Sequence, residues 1–145
     1  MKLILVAADG SEGAGRAIDY AAHQARDTGA ELLIVNVTGE YGLPDNMLKT
    51  FSQARNAWLE EMLTSTSANT LTKARERAQS IGVAKIQIES RTGDIAQTVI
   101  DIVQEKKADS IVVGKRGTGR ISGLLLGSVS QKLANLAPVP LTIVP

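Results

Sequence analysis

The chain has 145 residues, 43 % hydrophobic and 21 % charged, enough for one core of its own and too apolar for disorder. It has no cysteine, which excludes disulfides, thiolate metal sites and a thiol nucleophile. Its net charge of +1 conceals a division: all 15 acidic residues lie at or before Asp109, and from Ser110 onward the charged side chains are Lys115, Arg116, Arg120 and Lys132.

Leu3-Ile4-Leu5-Val6 is a short apolar run of the kind found in a strand covered on both faces. The run as far as Ala8 is too short for a secretory leader or a membrane span, so the expected location is the cytoplasm with no membrane partner. Asp9-Gly10-Ser11 is a turn and helix-start signal. Ala14, Ile18, Ala21, Ala22 and Ala25 follow at helical spacing, and Gly29 closes that helix. Leu32-Leu33-Ile34-Val35 with Val37 is a second strand, and Gly39, Gly42 and Pro44 mark a loop. From Asp45 to Ile81 neither Gly nor Pro appears. Leu48, Phe51, Met62, Leu63, Leu71, Ala74 and Ala78 suggest helix there, and the polar Thr64–Thr70 segment leaves one helix or two open.

Ile86-Gln87-Ile88 alternates as a third strand after Gly82. Thr92-Gly93-Asp94 begins a helix bearing Ile95, Val99, Ile102 and Val103 on one face. Ser110-Ile111-Val112-Val113 is the fourth strand and leads directly into the glycine-rich stretch GKRGTGRISGLLLGS. Ser128–Leu136 reads as a helix, and Leu141-Thr142-Ile143-Val144 as a last strand among prolines. This alternation predicts a single α/β domain over residues 1–145, with a parallel sheet and helices on both faces. Ligands in such sheets bind beyond the carboxyl ends of the strands, where the strand order reverses. If the first and fourth strands are neighbours, that crevice lies between the Asp9 and Gly114 loops.

The glycine stretch fits neither common phosphate loop. Gly114 and Gly119 have Walker A spacing, but Arg120-Ile121 stands where Lys and a hydroxyl residue are needed. Gly117, Gly119 and Gly123 have one residue too many for the dinucleotide fingerprint. What the stretch does contain is Gly114, two residues, Gly117, nine residues, then Gly127-Ser128. Glycines let backbone N–H groups approach an anion, and a helix opening at Ser128 adds free N–H groups and a favourable dipole. With aromatics at only 3 %, this basic segment lacks the stacking surface of a nucleic-acid binder, and a small anion suits it better.

In that spacing the chain resembles the universal stress protein (UspA-like) family, in its ATP-binding subgroup. LILVAADGSEGAGRAIDYA resembles the family's first strand, Asp-bearing loop and first helix; ADSIVVGKRG resembles its fourth strand and phosphate loop. LLLGSVSQKLANLAPVPLTIV resembles its last helix and strand, and the likeness spans essentially the whole chain. The resemblance implies a Rossmann-like open parallel five-stranded sheet of order 3-2-1-4-5. It also implies an adenine nucleotide as ligand: ATP, with ADP or AMP as alternatives, and Mg2+ carried with the nucleotide. Phosphate contacts would come from Gly114, Lys115, Arg116, Gly117, Gly127, Ser128, Val129 and Ser130. Ala8 and Asp9 would lie near the ribose or the metal-bearing phosphates, and the backbone of Val37 would read the adenine edge. Lys115-Arg116 departs from the family's usual small-or-histidine filling between the first two glycines.

Other readings of the same residues stay open. Asp9 also suits a helix N-cap. His23 reads as a surface or interfacial histidine, and Trp58 and Phe51 as packing residues. The nearly apolar last strand would sit at a sheet edge, which predicts a homodimer through that edge, in keeping with the family's mode of association. The leading functional reading is a nucleotide-dependent stress-response or signalling protein. The alternatives are a slow ATPase or nucleotide-dependent enzyme, for which only Asp9 is a candidate base, and a dimeric interaction module without nucleotide.

Overall fold

The computed structural model of the protein describes residues 1–38, 53–115 and 126–145, and over 53–65 the helical backbone alone. β1 (Leu3–Ala7) leads to α1 (Glu12–Thr28), β2 (Glu31–Thr38), α2 (Gln53–Ile81) and β3 (Ile86–Thr92). α3 (Ile95–Lys106), β4 (Ser110–Gly114), α4 (Ser128–Leu136) and β5 (Leu141–Val144) complete the order. The strands form one five-stranded parallel sheet of order β3-β2-β1-β4-β5, the order that the family resemblance implies. β1 and β4 are therefore the central neighbours, with Leu5 opposite Ile111 and Val6 opposite Val112.

Alternation of side chains along each strand divides the core into two layers. Ile4, Val6, Leu32, Ile34 and Val112 face α1 and α2, meeting Ala17, Ala21, Ala25, Leu71, Ala74 and Ala78. Leu5, Leu33, Val35, Ile111 and Val113 face α3 and α4, meeting Val99, Ile102, Val103 and Leu133. Each fully buried Leu, Ile or Val contributes roughly 1.5–3 kcal/mol relative to exposure. Lys132 of α4 reaches Asp94 at 2.9 Å, the same carboxylate that caps α3 by accepting the Gln97 N–H, so the second helical layer is tied at its upper end.

Two expectations are refined. The Thr64–Thr70 segment belongs to one continuous helix, α2, because Ser67 turns inward and is only 4 % exposed. Leu48 and Phe51 lie outside the described residues, as do the side chains of Trp58, Met62 and Leu63. The third strand runs on to Thr92, past the alternating Ile86-Gln87-Ile88. Its polar second half pairs with β2 as far as Thr38 opposite Thr92, and an edge strand tolerates Glu89 and Arg91 because one of its sides is open. Arg91 pairs there with Glu105 of α3.

The alanine-rich face of α1 lets the helix lie close on the sheet, and closest at Gly114. A Cβ on Gly114 would stand 2.9 Å from both the carbonyl carbon and oxygen of Gly13. Those are backbone atoms of α1 and cannot swing aside. At the opposite end of the sheet, Asp109 Oδ2 accepts the Lys2 and Leu3 N–H groups at 2.7 and 2.8 Å, which sets where β1 begins beside β4. Among the described residues no helix is long and apolar enough to cross a membrane.

Gly114→Ala is expected to destabilise the fold by about 1–3 kcal/mol through this overpacking, read as a lower denaturation midpoint at unchanged slope. A second expectation concerns acid. Hydrogen bonds from the Leu3 and then the Lys2 N–H hold the Asp109 carboxyl below its ordinary value of 3.8. A depressed carboxylate pKa contributes stability that is present above the unfolded-state value and lost as pH falls through the folded-state value. The stability gap between wild type and Asp109→Asn should therefore be open at neutral pH and close below pH 3.8, as measured by urea unfolding across that range.

Candidate functional site

The strand order reverses between β1 and β4, where the loop after β1 leads to α1 and the segment after β4 leads to α4. Two helix N-termini thus open beside one crevice, and their chemistry differs. α1 is capped by its own loop: Ser11 Oγ accepts the Ala14 N–H at 3.1 Å, and Asp9 Oδ1 accepts the Ser11 N–H at 2.9 Å. The N-cap is therefore Ser11 and not Asp9, because Asp9 lies two residues too early and closes the preceding turn instead. Asp9 is exposed, and Gly10 beside it takes a left-handed φ of 84°.

α4 begins without such a cap. Its N-cap is Gly127, which has no side chain to fold back on the first turn. The first N–H to find an acceptor within the helix is that of Gln131, bonded to the Gly127 carbonyl at 3.0 Å. The N–H groups of Ser128, Val129 and Ser130 belong to the first turn, which has no intrahelical acceptors to offer them. They carry the positive end of the helix dipole.

The base of the glycine stretch is firmly tied. Lys115 N–H donates to Val144 O at 2.7 Å, and Gly127 N–H donates to Lys115 O at 2.9 Å. Positions 115 and 127 are thereby clamped together, and the Gly127 N–H is used for that clamp. Ser130, 3 % exposed, donates its hydroxyl to Gly114 O at 2.8 Å, so it braces the helix start against the end of β4. Ser128 is exposed, and Val129 packs against the α3–α4 core layer. Arg116 and Gly117 lie outside the described residues, as do Gly119, Arg120 and Gly123.

On the other side of the crevice, Ala8 is 3 % exposed and has both backbone groups engaged: its N–H with Val35 O at 2.8 Å, its carbonyl with Asn36 Nδ2 at 2.6 Å. It forms a wall rather than a polar contact. β2 pairs with β1 as far as Val35 and continues to Thr38, so Val37 projects past the end of β1 and is half-buried. His23 is exposed on α1, near Asp19, whose carboxyl is held low first by its hydrogen bond from Arg77.

Sequence reasoning passed over Asn36 and Gly13 here, and took Ser11 only as part of a helix-start signal. Ser11 was legible from its place before Glu12, as a hydroxyl opening a helix. Asn36 gave a signal too, as a lone amide inside an apolar strand run. Gly13 gave none, since its closeness to Gly114 arises only when α1 lies across β4. Among the described residues no cluster of three metal-ligating side chains occurs.

Comparison with known proteins agrees with this geometry. The sequence profile of the universal stress protein family matches residues 1–145. A relative is the universal stress protein YxiE of Bacillus subtilis, 32 % identical over 144 residues and covered to 97 % in both chains. The fold is shared with the universal stress protein UspA from Lactobacillus plantarum, at a TM-score of 0.83, 24 % identity, and coverage of 99 % of this chain and 97 % of that one. A universal stress protein solved in complex with cAMP superposes at a TM-score of 0.73 with 26 % identity, over 99 % of this chain and 95 % of that one. With its whole length matched, its sheet order shared and its glycine spacing in place before an uncapped helix, the chain belongs to the universal stress protein family.

Proposed function

We propose that this universal stress protein binds ATP at the β1–β4 crevice and acts as a nucleotide-dependent stress-response or signalling protein in the cytoplasm. The observation that carries this reading is the difference between the two helix starts: α1 carries a side-chain cap, Ser11 on the Ala14 N–H, whereas α4 starts at Gly127 with no side-chain cap among the described residues. Phosphates belong against Ser128, Val129 and Ser130, with Gly114, Gly117 and Gly127 allowing close approach and Lys115 and Arg116 adding attraction. Asp9 and Ala8 belong at the ribose, and the backbone of Val37 at the base. A dipole contribution of ~0.3–1 kcal/mol is far below the ~8 kcal/mol of micromolar binding, so N–H bonds, the Ser128 hydroxyl and base contacts act together. The 26 %-identical relative in complex with cAMP supports an adenine nucleotide at this fold. With no cluster of three metal-ligating side chains among the described residues, Asp9 suits Mg2+ that arrives on phosphate oxygens.

The homodimer is proposed through β5, all four of whose residues remain half-buried at the sheet edge. Light scattering at micromolar concentration should report a dimer, and a monomer would exclude this edge as the interface.

Calorimetric titration is the test of the nucleotide site. ATP should bind more tightly than AMP, and small molecules released by heat from purified protein should include an adenine nucleotide. Ser128→Pro is the informative variant. Proline is favoured at the first helical position, and Gly127 already has the extended φ of −69° and ψ of 164° that a following proline requires. It removes one N–H without breaking the helix, and should weaken ATP about tenfold at nearly unchanged thermal stability. Ser128→Ala separates the hydroxyl's share. Equal ATP affinity in wild type and Ser128→Pro would refute phosphate binding at α4.

A further inference from the structure

Two features of the sequence have no part in the site so far: Asn36, which interrupts the apolar run of β2, and the polar Thr64–Thr70 segment of α2. The fold brings them together. Asn36 Nδ2 donates to Ala8 O at 2.6 Å, Ser67 Oγ donates to Asn36 Oδ1 at 2.7 Å, and Ser90 Oγ lies 2.8 Å from Ser67 Oγ. A backbone carbonyl only accepts, so the amide must present its nitrogen to Ala8. Its oxygen then faces Ser67, whose single proton is committed to it. Ser90 therefore donates to Ser67. The hydrogen bonds run with one polarity from β3 through α2 and β2 to the residue preceding Asp9, each polarising the next.

Burial makes this chain of bonds consequential. Ser67 is 4 % and Ala8 3 % exposed, so a broken link leaves a polar atom that water does not readily reach. The same turn of α2 also lies over the other side of Asp9, where Thr70 Oγ1 would be 3.7 Å from a Cβ on Gly10. Positions 67 and 70 of α2 thus bracket the loop that carries the Asp9 carboxylate.

We infer that Asn36 and Ser67 are positioning residues for the nucleotide site: their hydrogen-bonded chain to Ala8 O sets the β1–α1 loop, and through it the carboxylate of Asp9. This rests on the nucleotide reading above. Neither residue touches the ligand, and both act through Asp9.

The test is a double-mutant cycle on the 145-residue chain. ATP with Mg2+ is titrated calorimetrically into wild type, Ser67→Ala, Asp9→Ala and the double variant, and amide hydrogen exchange of residues 8–14 is recorded without nucleotide. Ser67→Ala should weaken ATP about five- to tenfold, and that loss should vanish when Asp9 is already alanine. Exchange over residues 8–14 should be faster in Ser67→Ala. Unchanged affinity in Ser67→Ala, or losses that simply add, overturns the inference, because a purely structural role would not depend on Asp9. If wild type binds no ATP, the nucleotide reading fails alone; loop exchange then decides, faster exchange sustaining the positioning role and unchanged exchange refuting it. Should Ser67→Ala not fold, Ser90→Ala removes the far, exposed donor and is read by the same two measurements.

Discussion

The end of β4 and the start of α1 occupy almost the same space, and much of the molecule is arranged around that contact. Gly114 lies so close to the Gly13 carbonyl that no side chain fits between them. The contact is possible because α1 presents glycine and alanine to the sheet, and it brings the first turn of α1 over the central strand pair. The start of α4 is then fixed by a few bonds to the end of β4. Gly114 O accepts the Ser130 hydroxyl, Lys115 is tied to Val144 and to Gly127, and α4 must start where those bonds place it. A glycine that reads as a phosphate contact in the motif therefore has a packing duty at least as strict.

The crevice owes its electrical character to how backbone donors are spent. Two helices of parallel origin begin beside each other, yet one has its Ala14 N–H answered by the Ser11 hydroxyl, with Asp9 holding the Ser11 N–H, and the other starts at Gly127 with no side-chain cap among the described residues. The acidic side of the crevice suits hydroxyls or a cation, and the amide-rich side suits an anion. In the proposed binding mode the ribose lies toward β1 and the phosphates toward α4.

The two faces of the sheet contribute unequally. The α3–α4 layer is closed by apolar packing and by the Lys132–Asp94 bridge, an exposed pair of small energetic weight. The α1–α2 layer combines apolar packing with the buried Ser67–Asn36 hydrogen bonds that end on Ala8. Buried polar links are costly when incomplete and specific when complete, and here they lead to the loop that faces the crevice.

Much of this was legible from the residues alone. Alternating apolar runs and helical periodicities predicted five parallel strands with helices on both faces, because burial imposes a period on each element. The glycine spacing singled out the β4–α4 connection for the same kind of reason: chain geometry is local. Other features had no local signal. The polar second half of β3 is a strand only because β2 lies beside it, and Ser67 belongs in the core only because Asn36 and Ser90 meet it there. By itself the sequence determined the elements, their order and the family, since propensity and periodicity act along the chain. Only the tertiary structure decided that Gly114 is required by Gly13 and that Asn36 answers Ala8. Those are contacts between segments far apart in sequence, and their partners exist only once the sheet has assembled.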